Sequence, residues 1–199
     1  MFHGYGSNAQ DLAGLVSSLS IPDTLFISLN APVQIVEDSD CYQWFPIYHD
    51  ETGIMDMDFS VCKNLITNLG KYIGNVLSYH NISADETALF GFSQGAFMAL
   101  CLEMFLPTSF GATIAHSGLF YKYNNHELSK LGSLQLNKKH NILLLHGKKD
   151  DVLPFVHAER TIDFFRSVGI SPDTHFEESL GHSVSISSLK KVQDFISRL

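Results

Sequence analysis

Gly91-Phe92-Ser93-Gln94-Gly95 follows the apolar run Ala88-Leu89-Phe90 and leads into Gly95–Leu106, GAFMALCLEMFL. A short apolar run, a glycine-flanked serine and a long apolar stretch read as strand, sharp turn and buried helix. A serine in that turn has two readings. It is a nucleophile held on a strained strand-to-helix turn, or it is an ordinary serine in a Gly-rich turn. The residues around it decide between them.

Outward from this stretch, short apolar runs alternate with longer helical patterns. Thr24–Leu29 (TLFISL), Thr87–Gly91, Gly111–Ala115, Asn141–His146 and Thr174–Glu177 read as strands. Phe59–Tyr79 carries apolar residues at helical spacing and has Asp58 as its cap. Pro107 stops the helix that follows the serine. A helix over Phe155–Val168 opens after Pro154 and closes at Gly169, and Ser185–Leu199 is a final amphipathic helix. Strands alternating with helices imply βαβ units and a mostly parallel sheet. The continuous apolar character of 88–90 and 142–145 fits strands buried on both faces. Residues 36–58 form the longest stretch without periodicity, and so long a loop in a compact domain is often functional.

The 199 residues fit one domain spanning 1–199, with 45% hydrophobic and 17% charged residues. No apolar run reaches the length of a membrane span, and MFHGYGSN lacks the basic and apolar regions of a secretory signal. Cys41, Cys62 and Cys101 match no metal or redox spacing, so free thiols in a reducing cytoplasm are expected. The formal net charge is −8, and residues 1–62 contain nine acids without one Lys or Arg. That balance argues against nucleic acid, which needs a basic footprint.

In open parallel sheets, ligands bind beyond the carboxyl ends of the strands. Three post-strand loops of this chain carry chemistry there. Ser93 follows the first, His146-Gly147-Lys148-Lys149-Asp150-Asp151 the second, and Leu180-Gly181-His182 the third. Serine, then acid, then histidine is the chain order of an α/β-hydrolase triad. Ser93 Oγ needs a base to take its proton, and imidazole does so near neutral pH. An acid on the far ring nitrogen fixes the tautomer, and Asp150 and Asp151 are the two candidates. The oxyanion needs two donors. The backbone N–H of Gln94 at the helix start is one, and that of Tyr5, in His3-Gly4-Tyr5-Gly6, is the other.

Phe2-His3-Gly4-Tyr5-Gly6-Ser7-Asn8, Asn30-Ala31-Pro32, Gln43-Trp44-Phe45, GFSQGA at 91–96, HGxxD at 146–150 and Gly181-His182 occur in this order. Together they resemble the bacterial phospholipase/carboxylesterase family, the acyl-protein thioesterase-like branch of the α/β-hydrolases, from Phe2 to the C-terminus. The resemblance implies hydrolysis of carboxylic esters or thioesters through an acyl-enzyme, with no cofactor and no metal. It assigns the triad acid to Asp150. It favours Trp44 and Phe45 as the lining of an acyl site over mere anchors of their loop, and it allows a homodimer. Leu153 stays open between pocket wall and packing. His146 reads as structural and His3 as support for the oxyanion loop. A non-catalytic acyl-binding or scaffold protein is the reading from another class.

Two departures from the family pattern stand out. Tyr42 and Gln43 precede Trp44 where relatives often carry arginine. The family's HGYG follows a central strand with two more before it, whereas here Met1-Phe2 supplies at most the end of that strand. The expectation is an α/β-hydrolase lacking its N-terminal strands, whose natural chain starts upstream and whose sheet is left with unpaired edges at Phe2.

Overall fold

A computed structural model of the protein describes residues 1–49, 55–120 and 128–199. Residues 50–54 of the long 36–58 loop lie outside the described residues. The central sheet has four parallel strands in the order β5 (Ala88–Phe92), β6 (Ala112–His116), β7 (Ile142–Gly147) and β8 (Asp173–Glu177). Before it come two short antiparallel pairs. One joins β1 (Val33–Gln34) to β2 (Tyr42–Gln43), the other β3 (Ile47–His49) to β4 (Met55–Met57). The helices are α1 (Ala9–Ala13), α2 (Val16–Leu19), α3 (Phe59–His80), α4 (Gln94–Phe105), α5 (Val156–Ser167) and α6 (Ile186–Ile196). None among the described residues is long and apolar enough to cross a membrane.

Successive strand residues point to opposite faces, and both faces are covered. Phe90, Ile114, Leu143 and Leu145 meet Leu189, Val192 and Phe195 of α6 on one face. Leu89, Ala115 and Leu144 belong to the opposite core, with Cys62 and Ile66 of α3, Phe97 and Met98 of α4, and Ile162 and Phe165 of α5. This is why the strands read as unbroken apolar runs. Every residue of α4 is buried, as its all-round apolar sequence predicts. Its one charge, Glu103, is matched by Lys138 at 3.4 Å and His140 Nδ1 at 2.6 Å. Asp58 caps α3, accepting from the N–H groups of Ser60 and Val61.

The four sheet strands and four long helices fall within two or three residues of their expected ends, and the N-terminal region differs. Thr24–Leu29 is not a regular strand, since only Leu29 forms a bridge, parallel to Phe2. A strand needs a neighbour along its length, and among the described residues Met1 and Phe2 are the ones bonded to it. Met1 nitrogen donates to Ile27 O at 2.7 Å, and Leu29 N–H to Met1 O at 3.2 Å. Phe2 itself is paired on both sides. Its N–H donates to Phe90 O at 2.8 Å, and its carbonyl accepts from Phe92 N–H at 3.0 Å. The expected unpaired edge therefore does not fall at Phe2. It lies further along β5, where a groove of about 660 Å³ opens between Asp23–Leu29 and Thr87–Phe90, floored by Tyr72, Val76 and Ile196.

Candidate active site

Ser93 sits between β5 and α4 with φ 54° and ψ −118°, a conformation rare for any residue with a side chain. Backbone bonds hold it there. Its N–H donates to His116 O at 2.9 Å, and its carbonyl accepts from Ala96 N–H at 3.0 Å. The turn must also pass beneath the N-terminal segment. A Cβ on Gly95 would overlap the Phe2 carbonyl, and one on Gly91 would overlap the Gly95 carbonyl. That packing explains why the serine needs glycine on both sides.

The three expected triad residues come together at the carboxyl ends of β5, β7 and β8. His182 Nε2 is 3.0 Å from Ser93 Oγ, and His182 Nδ1 is 2.7 Å from Asp150 Oδ2. A carboxylate only accepts, so Nδ1 carries the proton and Nε2 is free to take one from Ser93. Asp150 Oδ1 accepts from Val152 N–H at 3.0 Å and Leu153 N–H at 2.7 Å, which fixes the carboxylate plane. Asp151 points outward and is exposed. His146 is buried and donates from Nε2 to Leu153 O at 2.8 Å, holding the same turn closed. Its pKa is lowered, chiefly by burial, so it stays neutral.

Gln94 begins α4 directly after Ser93, so its backbone N–H has no partner within the helix. Gly4 brings the His3–Gly6 loop against Ser93, because a Cβ there would lie 3.2 Å from Ser93 Cβ. Tyr5 is half exposed on that loop. His3 orders it. Ala31 N–H donates to His3 Nε2 at 3.0 Å, which leaves Nδ1 protonated to donate to Gly4 O at 2.7 Å. Burial lowers the His3 pKa and outweighs the carbonyl bond that would raise it.

The residues expected at an acyl site, Trp44, Phe45 and Leu153, are all buried. Trp44 is only 1% exposed. Its indole N–H donates to His3 O at 2.8 Å, and its ring packs on Phe2 and His3. Phe45 is buried against Phe97. Leu153 is also buried, and it supports Asp150 and His146 through its backbone. Trp44 thus packs behind the His3–Gly6 loop, and Phe45 on α4.

Sequence reasoning missed the side chain of Gln94. Its Oε1 accepts from Trp44 N–H and its Nε2 donates to Phe45 O, both at 2.8 Å. The residue after Ser93 thereby fastens the Gln43-Trp44-Phe45 motif. It also missed Phe92, whose ring lies 4.9 Å from that of His182. The ordered motifs were the available signal, for they are the segments these bonds join.

The fold is that of an α/β hydrolase. A family model described as Phospholipase/Carboxylesterase matches residues 1–199, and the chain belongs to that family. It is 25% identical over 207 residues to acyl-protein thioesterase 1 of Kluyveromyces lactis, covering 100% of this chain and 90% of the relative. It is 25% identical over 201 residues to esterase YpfH of Escherichia coli, covering 98% and 80%. The crystal structure of esterase PE8 superposes with a TM-score of 0.81 at 29% identity, covering 99% of this chain and 89% of that one.

Proposed function

We propose that the protein is a serine hydrolase that cleaves carboxylic esters or thioesters through an acyl-enzyme on Ser93. One observation carries the reading. A serine on a strained turn, an imidazole and a buried carboxylate form a hydrogen-bonded line with spacings of 3.0 and 2.7 Å. In the first half-reaction Ser93 Oγ attacks the acyl carbon as its proton passes to His182 Nε2. Asp150 stabilises the resulting imidazolium. The N–H groups of Gln94 and Tyr5 bind the negative oxygen of the tetrahedral species. Collapse breaks the bond to the leaving alcohol or thiol, which takes the proton from His182. Water then enters, gives its proton to the same nitrogen and attacks the acyl carbon. The acid departs, and Ser93 recovers its proton.

Membership in a family of carboxylesterases and thioesterases supports this reading. The test is turnover of p-nitrophenyl acyl esters and of an acyl thioester by wild type and Ser93→Ala. A loss of about 10⁴-fold or more in kcat, with the fold intact, is expected. Unchanged turnover in the variant would move the chemistry away from Ser93. No turnover by wild type, with saturable binding of an acyl ligand, would instead favour a binding protein.

A further inference from the structure

Behind the Ser93–His182 pair lies a second line of hydrogen bonds that the hydrolytic reading does not use. Glu177 is the last residue of β8, and the His182 loop leaves from it. Ser185 caps α6, where that loop ends. The Glu177 carboxylate accepts from Ser185 Oγ and from Ser188 Oγ, both at 2.6 Å, so it ties together the two ends of the loop that carries His182. Ser188 Oγ is also 2.9 Å from His116 Nε2, and His116 Nδ1 is 3.0 Å from Ser117 Oγ. His116, Ser117 and Ser188 are all buried.

The proton order in this line has one self-consistent form. Ser188 gives its single hydroxyl proton to Glu177, so it must accept from His116, which is then protonated on Nε2. His116 Nδ1 accepts from the Ser117 hydroxyl. The line ends at the nucleophile, because the His116 carbonyl receives the Ser93 N–H at 2.9 Å. The rings add a second link. Phe92 contacts His116 at 5.7 Å and His182 at 4.9 Å between centroids. Burial, followed by the neighbouring His146, pushes the His116 pKa down to about 3, which keeps the ring neutral and the proton order fixed.

We infer that Glu177, Ser188 and His116 are positioning residues that set the separation of Ser93 and His182 by joining the base's loop to the nucleophile's turn. None touches the substrate. The inference rests on the proposed role of Ser93 and His182. A misplacement of about 1 Å in such a pair costs roughly 10²-fold, so losing one bond of the line, with a smaller shift, should cost about 10-fold in kcat. KM should stay within about twofold, since no binding contact is removed.

The experiment compares Ser188→Ala with the double variant His116→Phe/Ser188→Ala on a p-nitrophenyl ester, together with Tm. The single variant leaves the buried His116 N–H without a partner and should lose stability. The double variant removes both ends of that bond, although it leaves the Ser117 hydroxyl without its acceptor, and should recover part of the loss. A purely structural line predicts that kcat returns with Tm. A positioning line predicts that Tm returns and kcat stays low, and it also predicts a displaced proton resonance for His182 Nδ1–H in both variants. Glu177→Gln serves the same comparison if the single variant fails to fold. Wild-type kcat in a folded Ser188→Ala protein, with the resonance unmoved, overturns the inference. An inactive wild type whose resonance moves in the variants would sink the hydrolase reading and leave the positioning line standing.

Discussion

The two ends of β5 are built differently. At its carboxyl end, Phe90 and Phe92 are bonded to Phe2 on one side, and Ser93 is bonded to His116 on the other. At its amino end, Ala88 and Leu89 pair with β6 and face the open groove on the other side. The chain spends its precise packing where the serine turns and leaves the far end loosely covered. Phe2 holds Phe92 through its carbonyl and packs directly over Gly95.

The largest effect should come from the carboxyl end. Asp150→Asn turns an acceptor into a potential donor facing His182 and forces the proton onto Nε2, which then cannot serve as base. A loss in kcat of about 10⁴-fold, measured on an aryl ester with the fold checked by circular dichroism, is expected. Gly95→Ala comes next. Its methyl group would overlap the Phe2 carbonyl, so the N-terminal segment must leave the sheet edge. A destabilisation of about 3 kcal/mol or more in urea is expected, because the clash is with backbone.

Acid should weaken the same end. His116 takes up a proton near the ordinary histidine value of 6.5 when unfolded but only at about 3 when folded. Between those values the unfolded chain binds more protons, so this contribution is intact above the upper value and is lost as pH falls through the window. The slope is about 1.4 kcal/mol per pH unit inside the window. His116→Phe should flatten it in urea melts taken across that range. An unchanged slope would mean that another group carries the acid sensitivity. The smallest effect belongs to the groove. Leu25 lines it and is 51% exposed, so Leu25→Ser should change stability by about 0.5 kcal/mol or less and leave kcat intact. A large loss of activity there would break the contrast between the two ends.

Much of this was legible in the sequence, for an identifiable reason. Parallel strands buried on both faces read as plain apolar runs, and each chemical residue stands in the loop directly after one. Ser93, Asp150 and His182 could therefore be aligned without any knowledge of distance. The burial of Trp44 and Phe45 could not be read, because an aromatic pair in a long loop looks the same whether it is packed or exposed. The Glu177–Ser188–His116 line was equally hidden, since His116 and Ser188 are 72 residues apart and have no motif. Thr24–Leu29 has the composition of a strand, yet pairing depends on a neighbour that its own residues do not encode.

The central claim is that Ser93 is an activated nucleophile facing an assembled oxyanion hole. Intact mass before and after a fluorophosphonate probe tests it most directly. The account predicts a single adduct that maps to Ser93 and is absent in His182→Ala. A folded wild-type protein that takes up no probe, or takes it up elsewhere, would contradict it.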